Sequence, residues 1–311
     1  KVTIVGAGAI GSTVAYGMLL RKSASNIVLV NRHAEKAEVK AFDMSHCIPS
    51  IDGVSITGGG LEASAGSRVI ILTVGILPKK DGSRADVLIQ NLDIYRNLVP
   101  YLAELSPKAV IVTVTNPVDL MALAACSFSG FPGYRVLGTG TLLDTLRLKC
   151  FIGEVLGAPS TEIEAIIVGE HGESMVPIWS RTLVYGIGLS KYVKDNGICW
   201  DSSVEEGIMK RTRRAGWDIR LGNEHSRYAI AFSTALITES ILRNNEGFLP
   251  VSVQLNGECG KEGIFMSLPS KLGLNGVLET EELNLRGKES EMVEHSKEII
   301  NRNAMEIRKY F

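Results

Sequence analysis

His171, within Gly169-Glu170-His171-Gly172, follows the apolar run Ala165-Ile166-Ile167-Val168, so its imidazole is expected at the end of a buried strand. Burying an unpaired polar group costs free energy, so a ring there needs partners or a task. By itself the histidine reads as a hydrogen-bonded structural residue. As a functional group it is the side chain whose ordinary pKa lets it exchange a proton near neutrality. Two further groups could serve such a proton carrier. Asp144 and Arg147 stand i,i+3 on one face of the helix expected after Gly138-Thr139-Gly140-Thr141. Either they form a salt bridge with each other, or Arg147 takes a carboxylate through its planar fork while Asp144 orients the imidazole. Sequence spacing cannot bring Asp144 to His171; only a fold can.

A second constellation lies at the start of the chain. The β-branched run Val2 to Val5 leads into Gly6-Ala7-Gly8-Ala9-Ile10-Gly11, after which Val14, Ala15, Met18 and Leu19 recur at helical spacing. Strand, glycine turn and helix form the context in which G-x-G-x-x-G carries meaning. Gly6 permits the tight turn, Gly8 lets the backbone approach a pyrophosphate, Gly11 lets helix pack on strand, and the helix N-terminus faces the anion. The next strand, Ile27 to Val30, ends at Asn31-Arg32-His33, where an acid would bond the ribose 2'-hydroxyl of NAD. Asn31 carries no charge to repel a 2'-phosphate, and Arg32 or His33 could pair with one. The reading leans slightly to NADP(H) over NAD. The alternative is that Asn31 binds NAD adequately and Arg32 is a solvated loop residue.

The elements that must position these groups alternate. Helical patterns at Glu35 to Cys47 and Val87 to Leu105 separate strand-like runs at Val54 to Thr57, Val69 to Val74 and Val110 to Val114. This order predicts an α/β, Rossmann-type, doubly wound parallel sheet, with ligands beyond the carboxyl ends of its strands. The residues there are Gly75 onward, Thr115-Asn116-Pro117 and Gly169-Glu170-His171. Ile76 to Arg84 has the composition of a closing loop, with Arg84 able to polarise a carbonyl or bind a carboxylate, or else to face solvent at a helix start. Helical patterns at Val204 to Leu221 and Ser226 to Leu242, an antiparallel pair Leu249 to Leu255 and Ile264 to Leu268 joined through Asn256-Gly257, and a final helix Glu291 to Tyr310 suit a mixed α+β catalytic domain. The expected division is residues 1–141 for dinucleotide binding and 142–311 for substrate.

Composition excludes several classes. With 311 residues, 45% hydrophobic content and a formal net charge of −1, the chain buries a large core and offers no electrostatic case for nucleic acid. The basic run Lys210, Arg211, Arg213, Arg214 lies beside Glu205 and Glu206 and reads as a solvated face. Five cysteines without C-x-x-C spacing read as free thiols, with no metal site expected. The apolar runs are too short to span a bilayer and no signal-peptide pattern is present, so a cytoplasmic protein without a membrane partner is expected. Lys1 already lies in a strand pattern without an initiator Met, so residues are expected to precede it.

Taken in order, Gly6-Gly8-Gly11, Arg84, Thr115-Asn116-Pro117-Val118-Asp119, Gly138 to Arg147 and Gly169-Glu170-His171-Gly172 resemble the lactate/malate dehydrogenase family over essentially the whole chain. The segment around Asp144 is most similar to the lactate and L-2-hydroxyisocaproate dehydrogenase branch. The resemblance implies hydride transfer between a nicotinamide coenzyme and a 2-oxo or 2-hydroxy acid. His171 would exchange the proton, Asp144 would hold its tautomer, and Arg84 would polarise the carbonyl. Arg147 would bind the C1 carboxylate, Asn116 the substrate oxygen, and Pro78 and Ser226 would border the side-chain pocket. Coenzyme contacts are expected at Gly6, Gly8, Ile10, Gly11, Asn31, Arg32, Gly75, Asn91, Val114 and Asn116. Pro78 departs from the family, which places Gln there in lactate and Arg in malate dehydrogenases. An apolar 2-oxo acid therefore ranks ahead of a dicarboxylate, with Lys79 a cation one residue away. A reductase of a bulkier oxo acid or a cyclic imine, and a silent dinucleotide-binding protein, remain as alternatives. A homodimer or homotetramer is expected from the resemblance alone.

Overall fold

In chain order the first half forms β1 (Val2–Val5), α1 (Ala9–Arg21), β2 (Asn26–Val30), α2 (Ala34–Ser45), β3 (Ser55–Gly59), β4 (Val69–Leu72), α3 (Arg84–Leu105), β5 (Val110–Thr113), α4 (Val118–Ser129) and β6 (Val136–Gly138). The structure, a computed structural model, describes residues 1–76, 84–222, 226–255 and 263–311, the side chains of 84–86 excepted. β1, β4 and β5 are buried at every position, as parallel strands covered on both faces must be. These strands pair in parallel, with Val5 level with both Val30 and Leu72, and Leu72 level with Thr113. The strand order β6-β5-β4-β1-β2-β3 reverses between β1 and β4. Gly6 and Thr73 therefore leave the sheet side by side at the crevice where such folds bind ligands.

The second half supplies α5 (Leu142–Leu156), the short strands β7 (Ile163–Glu164), β8 (Ile167–Val168), β9 (Val176–Pro177), β10 (Leu183–Val184) and β11 (Ile187–Gly188), then α6 (Leu189–Asp195), α7 (Ser202–Leu221), α8 (Tyr228–Arg243), β12 (Phe248–Gln254), β13 (Phe265–Gly273), β14 (Gly276–Thr280) and α9 (Lys288–Ile307). β12, β13 and β14 are antiparallel, as expected for the first two, but they continue the first sheet: Ser252 of β12 lies level with Gly138 of β6. The nine-stranded sheet thus runs across residue 141. A second apolar cluster, including Leu148, Ile152, Ile163, Ile167, Ile208 and Met209, packs α5 and α7 over the small strands. The joining turn Asn256-Gly257 lies outside the described residues.

Several elements escape a periodicity reading, among them α6, the short strands β7 and β9 to β11, β14, and also α4 and β6. α4 is buried from Val118 through Ala125, so it shows no polar face to set a helical period. β6 is three residues long. The basic run on α7 is solvated in part, with Arg211 paired to Glu154 at 2.5 Å and Arg214 to Asp218 at 3.5 Å. Arg213 departs from that reading and turns inward to the Met175 carbonyl at 3.4 Å. Among the described residues, Cys47, Cys126, Cys150 and Cys199 are free, and no helix is long and apolar enough to cross a membrane.

α1 begins against the glycine turn at van der Waals limits. A Cβ on Gly11 would sit 1.8 Å from the Gly6 carbonyl oxygen, whereas one on Gly8 would meet nothing within 4 Å. Gly11→Ala should therefore lower stability by about 1–3 kcal/mol or more in denaturant titrations, the usual cost of overpacking. Gly8→Ala should keep wild-type stability and weaken dinucleotide binding, because its methyl points into open space before the helix.

Candidate active site

β8 is held to α5 by two threonines one helical turn apart. Thr141 Oγ1 donates to the Ile167 carbonyl at 2.5 Å, and Thr145 Oγ1 accepts the Ile167 N–H at 2.9 Å. Both main-chain groups of one strand residue are thus satisfied by the helix that carries Asp144. Beyond β8, Gly169 adopts φ +89° and pairs with Ser267 of β13 through two 3.0 Å hydrogen bonds. A side chain at Gly169 would be strained by that φ and would meet Ser296 Oγ at 2.6 Å. The turn brings His171 over the first turn of α5.

There the His171 Nδ1 lies 2.5 Å from Asp144 Oδ2, while Arg147 Nη1 donates to Asp144 Oδ1 at 3.1 Å. The two sequence alternatives for Asp144 and Arg147 are both realised, since one carboxylate serves helix partner and imidazole together. Arg147 Nη2 also donates to Ser226 Oγ at 3.3 Å, which places the four predicted residues in one network. The Asp144 side chain is 1% exposed and that of His171 23%, so Nδ1 is engaged and the far side of the ring stays accessible.

Electrostatics follow from this burial. Desolvation opposes a charged imidazole, but the Asp144 carboxylate and its hydrogen bond, with Asp119 behind them, outweigh it and raise the His171 pKa despite Arg147. Burial likewise opposes ionisation of Asp144, yet His171 and Arg147 hold its carboxyl below the usual range. Asp119 behaves differently: burial pushes it up to about 6 against hydrogen bonds from Ser252 and the His171 N–H.

A cavity of about 570 Å³ opens beside this network, lined by Gly8, Ile10, Gly75, Val114, Asn116 and His171 among others. Its volume suits a coenzyme and substrate. The N-terminus of α1 has no side-chain cap, and Gly8 is open toward this space, so the first helical N–H groups are free for an anion. These residues fit a dinucleotide. Gly6 and Gly11 lie beneath the turn rather than on the lining. Asn91 is buried and braces the rim, accepting the Ile76 N–H at 2.7 Å and donating to the Asn116 carbonyl at 3.4 Å. Asn31 and Arg32 follow β2 outside the lining, and Asn31 Oδ1 accepts the His33 N–H at 3.0 Å. Arg84 opens α3, its side chain outside the described set, and Pro78 lies outside the described residues altogether. No cluster of three metal-ligating side chains occurs among the described residues.

Residues 1–138 match the family described as lactate/malate dehydrogenase, NAD binding domain, and residues 141–310 match its alpha/beta C-terminal domain. The chain belongs to the lactate/malate dehydrogenase family. Among the relatives of this dehydrogenase are the L-lactate dehydrogenase of Deinococcus radiodurans, 36% identical over 95% of both chains. That of Acetivibrio thermocellus is 32% identical over 96% of both. The minor L-lactate dehydrogenase of Enterococcus mundtii, solved with ligands bound, superposes with a TM-score of 0.94 at 33% identity, covering 99% of this chain and 98% of that one. The NAD-binding description gives no support to the lean toward NADP(H) drawn from Asn31 and Arg32.

The sequence reading of this dehydrogenase assigned no task to Thr141, Thr145, Ser252, Ser267 or Lys40. Lys40 Nζ donates to the Ala7 carbonyl of the glycine turn at 2.6 Å. Thr141 and Thr145 lie within the Gly138 to Arg147 run, but residue type alone does not show that their hydroxyls meet Ile167; Ser252, Ser267 and Lys40 stand at unpatterned positions.

The raised His171 pKa stabilises the fold fully below the ordinary value of 6.5, and that stability is lost as pH rises through the raised folded value. The lowered Asp144 pKa contributes above the ordinary 3.8 and is lost as pH falls through the folded value. Urea midpoints of the wild type should therefore decline from mildly acidic to alkaline pH. Asp144→Asn should flatten that decline; an unchanged slope would mean that the pair does not set it.

Proposed function

We propose that this family member is an NAD-dependent L-2-hydroxy acid dehydrogenase that interconverts a 2-oxo acid with an apolar side chain and its 2-hydroxy acid. The observation that carries the reading is the single Asp144 carboxylate bonded to both His171 and Arg147. It sets a proton carrier and a carboxylate-binding cation at a fixed separation beside a cavity that fits a dinucleotide. The relatives' names, all L-lactate dehydrogenases, support the reaction class.

When bound, the coenzyme supplies or accepts the hydride. Asp144 keeps the proton on Nδ1 of His171 and stabilises the imidazolium, so Nε2 delivers its proton to the carbonyl oxygen in reduction and takes it back in oxidation. Arg147, fixed by Asp144 and Ser226, receives the C1 carboxylate. Asn116, on the cavity wall with His171, bonds the substrate oxygen. By the family resemblance, Arg84 would polarise the carbonyl and Pro78 would border the side-chain pocket; the Arg84 side chain and Pro78 lie outside the described residues. The assignment of NAD follows the family description, and Asn31, whose side-chain carbonyl is turned to its own loop, does not decide it.

Self-association fits the surface. Tyr16 and Leu20 of α1 and Tyr228 and Phe232 of α8 are 43%, 54%, 70% and 43% exposed around a cavity of about 500 Å³ that Met44 of α2 also lines. An apolar patch of this kind is the face a homodimer, alone or within a homotetramer, would cover.

Reduction of apolar, aromatic and dicarboxylic 2-oxo acids, followed at the absorbance of NADH and of NADPH, should show turnover highest with NADH and an apolar acid. No turnover with any acid would sink the reading. His171→Asn should lower turnover by about 10²–10⁴, the usual contribution of general acid catalysis, with coenzyme affinity retained. Light scattering should give at least a dimer, and Leu20→Glu should shift a dimer to monomer or a tetramer to dimer; a monomeric wild type, or an unchanged mass in the variant, would refute the assigned face.

A further inference from the structure

His171 is held on two sides, and the second side is not accounted for by the proton transfer just described. Asp119, in the first turn of α4, accepts the His171 main-chain N–H on Oδ2 at 3.0 Å and the Ser252 hydroxyl on Oδ1 at 2.5 Å. Asp119 is 4% exposed and Ser252 fully buried on β12. Both carboxylate oxygens thus have a donor, and Asp119 is a second acid directed at the residue that carries the proton.

The contact is an unusual expenditure. A buried carboxylate is costly to ionise, and a serine hydroxyl or a main-chain carbonyl could accept the same N–H without charge. What a carboxylate adds is a negative charge beside the imidazole in a place where water does not screen it. The charged groups around the ring are Asp144 and Arg147 from α5 and Asp119 from α4. Arg147 opposes protonation, and it does so from the far side of the Asp144 carboxylate. Asp144 is therefore shared between two cations, whereas the Asp119 carboxylate, bonded to the His171 main-chain N–H and the Ser252 hydroxyl, acts on the imidazole through space. Around Asp119 itself stand His171 and Glu170, the latter disfavouring its ionisation. The Ser252 hydroxyl counters that disfavour by donating to the charged form.

We infer that Asp119, kept ionised by Ser252, is a positioning residue that fixes the His171 main chain to α4 and supplies the second negative charge holding the proton on the imidazole. The arrangement also ties the proton carrier to the nucleotide-binding sheet, because β12 is hydrogen-bonded to β6. The inference rests on the reading of His171 as the proton carrier of a 2-oxo acid dehydrogenase, but its central quantity, the affinity of His171 for its proton, is defined without any substrate.

The test is an NMR titration of the imidazoles in the full-length protein, with His171 identified by the signal missing from His171→Asn. Asp119→Asn preserves an acceptor for the N–H and removes the charge, and it should lower the His171 midpoint by about one pH unit, as loss of a nearby opposite charge does. Ser252→Ala leaves the carboxylate but weakens its ionised form, and it should move the midpoint in the same direction by less. This variant also decides the matter if Asp119→Asn does not fold. An unchanged midpoint in the folded variants overturns the inference, whatever the enzyme reduces. A lowered midpoint in a protein that turns over no 2-oxo acid upholds the inference and removes only the proposed reaction.

Discussion

The short hydrogen bond between Asp144 and His171 is the contact on which the remaining architecture depends. Twenty-seven residues separate the partners, and neither lies in a stretch that folds back on the other by local rules. The bond exists because Thr141 and Thr145 satisfy the N–H and the carbonyl of Ile167, and because Gly169 turns the chain immediately after β8. Losing either hydroxyl contact costs about 1 kcal/mol of stability, a modest amount for a domain of this size. With His171 in its proposed role, a shift of the imidazole by an ångström would cost about a hundredfold in rate. The clamp matters far more to chemistry than to folding, and buried hydroxyls at these positions make sense on that scale.

The second constraint comes from the sheet. Its order reverses between β1 and β4, and the crevice created there receives the glycine turn, Thr73 and the start of α1. β12 and β13 extend the same sheet and hold the loop that carries His171, through Ser267 to Gly169 and through Ser252 to Asp119. Coenzyme side and proton side are thus attached to one rigid element, and their relative placement does not depend on packing between two independent lobes. Electrostatics then act in a defined geometry: two carboxylates favour the protonated imidazole, and one of them also fixes Arg147, the arginine proposed to receive the substrate carboxylate.

Much of this was legible in the sequence for physical reasons. The strand, glycine turn and helix at Val2 to Leu19 are local, and each part obeys a steric rule readable from residue type. The alternation that follows specifies a parallel sheet. Asp144 and Arg147 were readable as neighbours because helical spacing alone determines it. Other features were not legible. α4 is buried from Val118 through Ala125 and gives no period; β6 is too short for one; and the continuity of β12 to β14 with the first sheet is a long-range pairing. Asp119 stood in a run singled out for its order, but nothing in its neighbours reveals that its carboxylate meets a main-chain N–H fifty-two residues away. Asn31 shows the limit of a one-residue argument for coenzyme choice, since its carbonyl is engaged by its own loop.

The account stands most directly on where a 2-oxo acid sits relative to His171. A crystal structure of the protein with NADH and an unreactive 2-oxo acid analogue measures that placement. The account predicts the analogue's carboxylate on Arg147, with its carbonyl oxygen within about 3 Å of His171 Nε2, the reach of a proton-transferring hydrogen bond. An analogue bound away from both residues, or with its carbonyl oxygen facing anything but His171, would contradict it.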